Sequence, residues 1–369
     1  MPARKKFDKL QYKPELNNSL EDTKLIVSAS EKKASKPKHT YFFKPSQKEY
    51  KKNKVYEVGF IDIFVPFLCA FVLCVINKFL TDAGAYTGLN DTALIVIQCV
   101  VSFVTFLIPG IVYCKVKNKS MHKEFSLHRF SFACMPFIIL GFLLLVLAIA
   151  TERIAISYFF PDTVSQSVLY LGREENKLGT ILAYVIFPAV CEELFLRGLL
   201  QNRISDIAGG FTGILVSALA FALVHLDFKY FAVYFTSGLI LAICAHVTNS
   251  VIPSMWLHIL NNLFSLMFSA RLSFIASERT GNAFLIIILV LFVFLILLFY
   301  LKSLEGLCMK KAYIEDAAKN DSLENSQRIS YRKPFKMFSD SGYSYHKFLR
   351  VVFSPALIIA VILFLFITV

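Results

Sequence analysis

Three short stretches of the chain carry the residue types that chemistry needs. "EELFLR" sets Glu192 and Glu193 side by side with Arg197 one turn later. "FALVH" sets Phe221 and His225 four residues apart, and "HILNN" does the same for His258 and Asn262. In a helix, residues i and i+4 share a face. Glu193 and Arg197 therefore meet in the favourable order for an ion pair, which neutralises one carboxylate. Glu192 points about 100° away and has no local partner. A free carboxylate is a candidate base, and His225 is a partner that holds or polarises water. His258 and Asn262 are candidate donors to an oxyanion. Together these are the parts for adding water to a carbonyl. Glu192, His225 and His258 are equally a candidate zinc-ligand set that would activate a bound water, although no HExxH is present. A blander reading also stands: a buried ion pair locking two helices, with His and Asn as interhelical hydrogen-bonding groups. Cys191 offers a thiol beside Glu192 but points off the Glu192 face.

The elements that must position these residues are apolar. The 369 residues are 56% hydrophobic, with 37 Phe and 1 Trp, and the mean hydropathy is +0.59. Few soluble domains reach that content. Many runs are long enough to cross a ~30 Å hydrocarbon core. The sequence therefore predicts an all-α, polytopic transmembrane helical bundle of about 8–9 spans. Nine apolar runs fall near 59–80, 92–114, 132–151, 178–205, 211–227, 229–248, 250–270, 282–302 and 350–369. A charge at the centre of such a run costs roughly 3 kcal/mol, so Glu192, Glu193 and Arg197 require a reason to be there.

Depth allows the three stretches to meet. Runs four and five turn at Gly209-Gly210; Glu192 lies 17 residues before Gly209 and His225 lies 15 after Gly210. At ~1.5 Å per residue both sit roughly 22–26 Å from the turn. His258 and Asn262 lie 8 and 12 residues past Ser250, which is shallower unless the polar end of the fourth helix protrudes.

Charge sets the expected organisation. Residues 1–57 hold 15 Lys+Arg against 7 Asp+Glu and read as a basic, disordered cytoplasmic tail. The tail leads directly into a span, so anionic lipid suits it better than nucleic acid. The first apolar run starts only near Gly59, which predicts that this span is its own insertion signal. The segment "KVKNKSMHKEFSLHR" carries five Lys+Arg and "TDAGAYTGLND" carries none. The positive-inside rule then predicts a cytoplasmic N-terminus in a multi-pass cell-membrane protein. The expected organisation is the tail (1–57), N-terminal spans (58–152), a polar-motif core (178–270), an eighth span (282–302), a cytoplasmic linker (303–349) and a C-terminal span (350–369). The Lys, Asn, Ile and Phe bias suggests a bacterial source. The eight Cys include no CxxC pair and read as small apolar residues.

On these residues the chain resembles the CPBP family, the CAAX proteases and bacteriocin-processing enzymes also called Abi proteins. "EELFLR", "FALVH" and "HILNN" look like its EExxxR, FxxxH and HxxxN/B motifs. Pro188 stands four residues before the first Glu, "NSVIPSMWLH" is similar to the usual approach to the last His, and "FTSGLILAICAHVTNS" resembles the glycine-bearing sixth helix. Ala242 stands where a second Gly is common. The resemblance covers roughly 178–270. It implies an intramembrane endopeptidase in which Glu192 and His225 activate water and His258 and Asn262 stabilise the oxyanion. Glu193, Arg197 and Phe221 support them. Many relatives carry a metalloprotease label, which keeps a zinc cofactor open. The implied partners are a peptide or lipidated protein substrate and membrane lipids. Two rivals remain: a catalytically idle membrane scaffold of the same fold, and an ion-coupled transporter. The transporter predicts repeated halves, and no internal repeat is visible.

Overall fold

The computed structural model describes residues 62–159, 177–277, 282–320 and 345–369. The expected basic tail and the middle of the expected linker lie outside them. Every element longer than one turn is helical among the described residues. Seven helices are long and apolar enough to cross a membrane, and a bent C-terminal pair makes up to eight. We number the main helices α1 (Phe64–Asp82), α2 (Asp91–Val116), α3 (Met135–Phe159), α4 (Lys177–Ala208), α5 (Gly210–Val224), α6 (Phe231–Thr248), α7 (Val251–Ser277), α8 (Asn282–Asn320), α9 (Tyr345–Val352) and α10 (Pro355–Thr368). The polytopic helical bundle predicted from hydropathy is the observed fold.

Helix α3 is the hub, packed against α6, α7 and α8, while α4 lies against α2, α5 and α7. Most of α8 faces outward: Phe284 is 69% and Leu291 62% exposed. In water that row would be a large apolar patch; against acyl chains it is solvated. Helices α5 and α6 approach closely at Gly238, where an added Cβ would stand 3.0 Å from the Ala218 backbone. Small residues permit such contacts where no hydrophobic force drives helices together.

Two helices widen before a proline. In α2 the turn Phe103–Leu107 is π-helical and Pro109 follows; in α4 the turn Ile181–Ile186 is π-helical and Pro188 follows. A proline ring clashes with the carbonyl one turn earlier and supplies no N–H, and a wider turn absorbs both defects. A second π-helical stretch in α4, Leu194–Gln201, directly follows Glu193.

Some boundaries differ from the hydropathy reading for physical reasons. The fifth helix ends at Val224, short of the expected 227, so His225 is its C-terminal cap. Its 15 residues span ~22 Å. The eighth helix continues past Lys302 to Asn320 through good helix formers that hydropathy does not register. The last apolar run is two helices bent by 43°, broken at Phe353–Ser354 ahead of Pro355.

Candidate active site

The polar cluster begins on α4. Glu193 and Arg197 are both almost completely buried, and Glu193 Oε1 lies 2.8 Å from Arg197 Nη1. This is the i, i+4 pair read from the sequence, and it does more than close on itself. Arg197 Nη2 donates to the Gly238 carbonyl on α6 at 3.2 Å, and the guanidinium lies 4.5 Å over the Phe221 ring on α5. His258 on α7 donates from Nδ1 to Glu193 Oε1 at 3.1 Å. One ion pair therefore fastens four helices. A turn further along α4, Gln201 Nε2 donates to the Ala242 carbonyl at 2.8 Å. That bond gives α4 and α6 a second tie.

Glu192 is the other carboxylate. Its Oε2 is buried without a hydrogen-bond partner and lies 4.0 Å from His258 Nε2. That gap is too long for a direct hydrogen bond. It is short enough for one water to touch both atoms.

The two histidines are oriented by what their Nδ1 atoms meet. His225 Nδ1 lies 2.6 Å from the Phe221 carbonyl, one of the last carbonyls of α5. A carbonyl only accepts, so this nitrogen carries the proton and Nε2 is left with a lone pair. The same contact logic puts a proton on His258 Nδ1, which meets a carboxylate. The His225 ring also stacks on Tyr234 of α6, with centroids 3.9 Å apart and 24° between planes. Phe221 links the two imidazoles, 4.6 Å from His225 and 5.3 Å edge-on from His258. The residue after His225 is strained: Leu226 has φ +50° and is buried. A non-Gly residue in that region costs about 1–3 kcal/mol and persists only where surrounding contacts fix it.

Glu192, Glu193, Arg197, Phe221 and His258 thus form one contact network. His225 joins it through Phe221, and among the described residues no hydrogen bond or ion pair joins it to either carboxylate. Asn262 lies one turn beyond His258 and donates to the Val185 carbonyl of α4 over a long 3.4 Å. Cys191 is buried. Tyr234 and Gln201 were not singled out from sequence. Gln201 carries a signal that would have found it, lying i+4 from Arg197. Tyr234 carries none, because its stack on His225 spans the α5–α6 turn.

The suggested zinc set can be compared with this geometry. Each histidine has its Nδ1 anchored, as metal-ligating histidines do. No three His, Cys, Asp or Glu side chains among the described residues stand close enough to hold an ion. The arrangement as it stands does not fit a zinc.

Comparison with known proteins agrees on the region. Residues 174–264 match the family model described as "Type II CAAX prenyl endopeptidase Rce1-like". Over 197 residues the chain is 26% identical to the membrane-embedded CAAX protease MroQ of Staphylococcus aureus (strain USA300), covering 50% of this chain and 77% of that protein. No solved structure matches. The matched segment contains all three motifs and every residue of the buried network, so the likeness to the CPBP family falls on the site region itself.

Proposed function

We propose that the protein is an intramembrane endopeptidase that hydrolyses a peptide bond of a membrane-associated protein or peptide, of the CAAX type or in peptide maturation. The observation that carries this reading is Glu192: a buried carboxylate with an unpartnered oxygen, kept apart from the Arg197 pair and facing an imidazole nitrogen across 4.0 Å. Packing needs no such group, and intramembrane carboxylates are retained where they act.

The chemistry follows from charge and donors. Acting as an oxyanion donor requires a proton on His258 Nε2 as well as on Nδ1. Glu192 is then the free base, and His258 is a donor aimed into the same space. Glu192 takes one proton from water, and the bare Nε2 of His225 accepts a hydrogen bond from the O–H that remains. The water oxygen bonds to the scissile carbonyl carbon, whose oxygen becomes an anion. His258 Nε2–H and the Asn262 amide, which makes a long bond to the Val185 carbonyl, donate to that oxyanion. Glu192 returns the proton to the leaving nitrogen as the C–N bond breaks, giving an acid and an amine. Glu193 and Arg197 hold the helices that carry these groups.

The test is mass spectrometry of peptide libraries incubated with purified protein in detergent, wild type beside Glu192→Gln. New cleavage products from the wild type alone are expected. Identical peptide profiles from two folded samples would overturn the reading and favour a scaffold.

A further inference from the structure

The last two helices lie outside the matched family segment, 174–264, yet they grip the helix that ends in His225. At one end of α5, Phe348 of α9 packs 6.4 Å from Phe211. At the other, Phe364 of α10 is 2% exposed and lies between Phe228 (6.5 Å) and Phe231 (5.5 Å). Phe228 lies in the turn after His225, and Phe231 opens α6. An apolar hollow lined by Leu215, Leu219, Phe231 and Phe348 separates the arm from α5 and α6. Contact is thus concentrated at the two ends. Helix α10 also packs on α1, which braces the arm.

The turn needs an external brace. It opens on the positive-φ Leu226, and its own ties are few: Leu226 N–H to the Leu223 carbonyl at 3.2 Å, Tyr230 N–H to Asp227 Oδ1 at 3.2 Å and Phe231 N–H to the Phe228 carbonyl at 3.3 Å. Phe228 is 52% exposed despite its contact with Phe364. His225 at the start of the turn stacks on Tyr234 just beyond it. Any shift of the turn changes that stack and the direction of Nε2. Phe364 is the fully buried side chain that spans the turn from Phe228 to Phe231.

We propose that the C-terminal helix is a clamp on the catalytic turn and that Phe364 is its positioning residue, setting the direction of His225 without touching the substrate. The role assigned to His225 rests on the endopeptidase reading; the clamp itself does not, because it has a mechanical readout.

The experiment uses full-length protein in detergent micelles with four forms: wild type, Phe364→Ala, Phe364→Leu and Phe366→Ala. Phe366 is 86% exposed on the same helix and serves as the control. Amide hydrogen exchange over 224–234 and kcat and KM on a cleaved peptide are read in parallel. Phe364→Ala is expected to speed exchange in the turn and to lower kcat about tenfold or more with KM unchanged. Phe364→Leu restores both, and Phe366→Ala matches the wild type. Unchanged exchange in Phe364→Ala overturns the clamp, as does the same loss in Phe366→Ala. If Phe364→Ala does not fold, Phe228→Ala removes the clamp's other face, and normal exchange and turnover in that variant overturn it too. If wild type cleaves nothing, the endopeptidase reading fails while the exchange data still decide the clamp.

Discussion

Removing one partner of the Glu193–Arg197 pair should be far worse than removing both. At 2.8 Å and an effective dielectric of about 20, their attraction is about 6 kcal/mol. Taking two ions out of water costs several kcal/mol each, so the intact pair is near break-even against an apolar isostere. Arg197→Met strands the Glu193 charge at a site with no solvent exposure, which costs about 3–5 kcal/mol. It also removes the bond to the Gly238 carbonyl, about 1 kcal/mol, and the contact with the Phe221 face. Glu193→Gln strands the guanidinium instead. The double variant Glu193→Gln/Arg197→Met strands neither and should be more stable than the Arg197→Met single by about 2 kcal/mol or more. Buried cysteines outside any disulfide supply the assay: Cys114, Cys191 and Cys244 react with a fluorogenic maleimide only as the protein opens, and exposed Cys69 sets the baseline. Thermal curves of the four forms in one detergent give the cycle. Additive losses, with the double variant the least stable, would refute the claim that the pair's value lies in mutual neutralisation.

Three further outcomes follow from the same geometry. Glu192→Gln should abolish cleavage, at least about 10³-fold, while leaving the thermal midpoint close to wild type, because its buried Oε2 has no hydrogen-bond partner to lose; a large loss of stability would place Glu192 among the structural groups. Asn262→Ala should lower kcat about 10²-fold with little effect on KM, as expected for an oxyanion donor; steady-state kinetics on a cleaved peptide check it, and a pure KM effect counts against that role. Gly213→Ala should destabilise by about 1–3 kcal/mol, since the new Cβ would stand 2.0 Å from Ser205 Oγ and 2.7 Å from the Gln201 carbonyl. Adding Ser205→Ala should recover only part of that loss in the same thiol assay, because the carbonyl clash remains.

The readable part of this molecule is what period and polarity encode. The apolar runs gave the bundle, and the i, i+4 rule gave the Glu193–Arg197 pair before any coordinates. The reversal at Gly209, φ +92°, was visible as a Gly-Gly between two runs. Hidden were contacts made between distant turns. Nothing local says that His258 bridges to Glu193, that Tyr234 stacks under His225 or that Phe364 reaches the turn. The extension of α8 past Lys302 was missed because a hydropathy window measures lipid solubility and not helix propensity. The run expected over 211–227 stops at Val224, so His225 caps the helix.

The brevity of α5 has a consequence for where this protein can work. Its ~22 Å falls about 8 Å short of an average hydrocarbon core. The bilayer must dip to meet that end or leave it under other helices, and mismatch costs a fraction of a kcal/mol per Å. Water follows such a dip, and it would arrive at the end of the helix where His225 sits. A hydrolytic site built at that place inherits a dependence on acyl-chain length. Thin bilayers bring water to it, and thick ones withhold it. Membrane composition would then set its rate without any ligand.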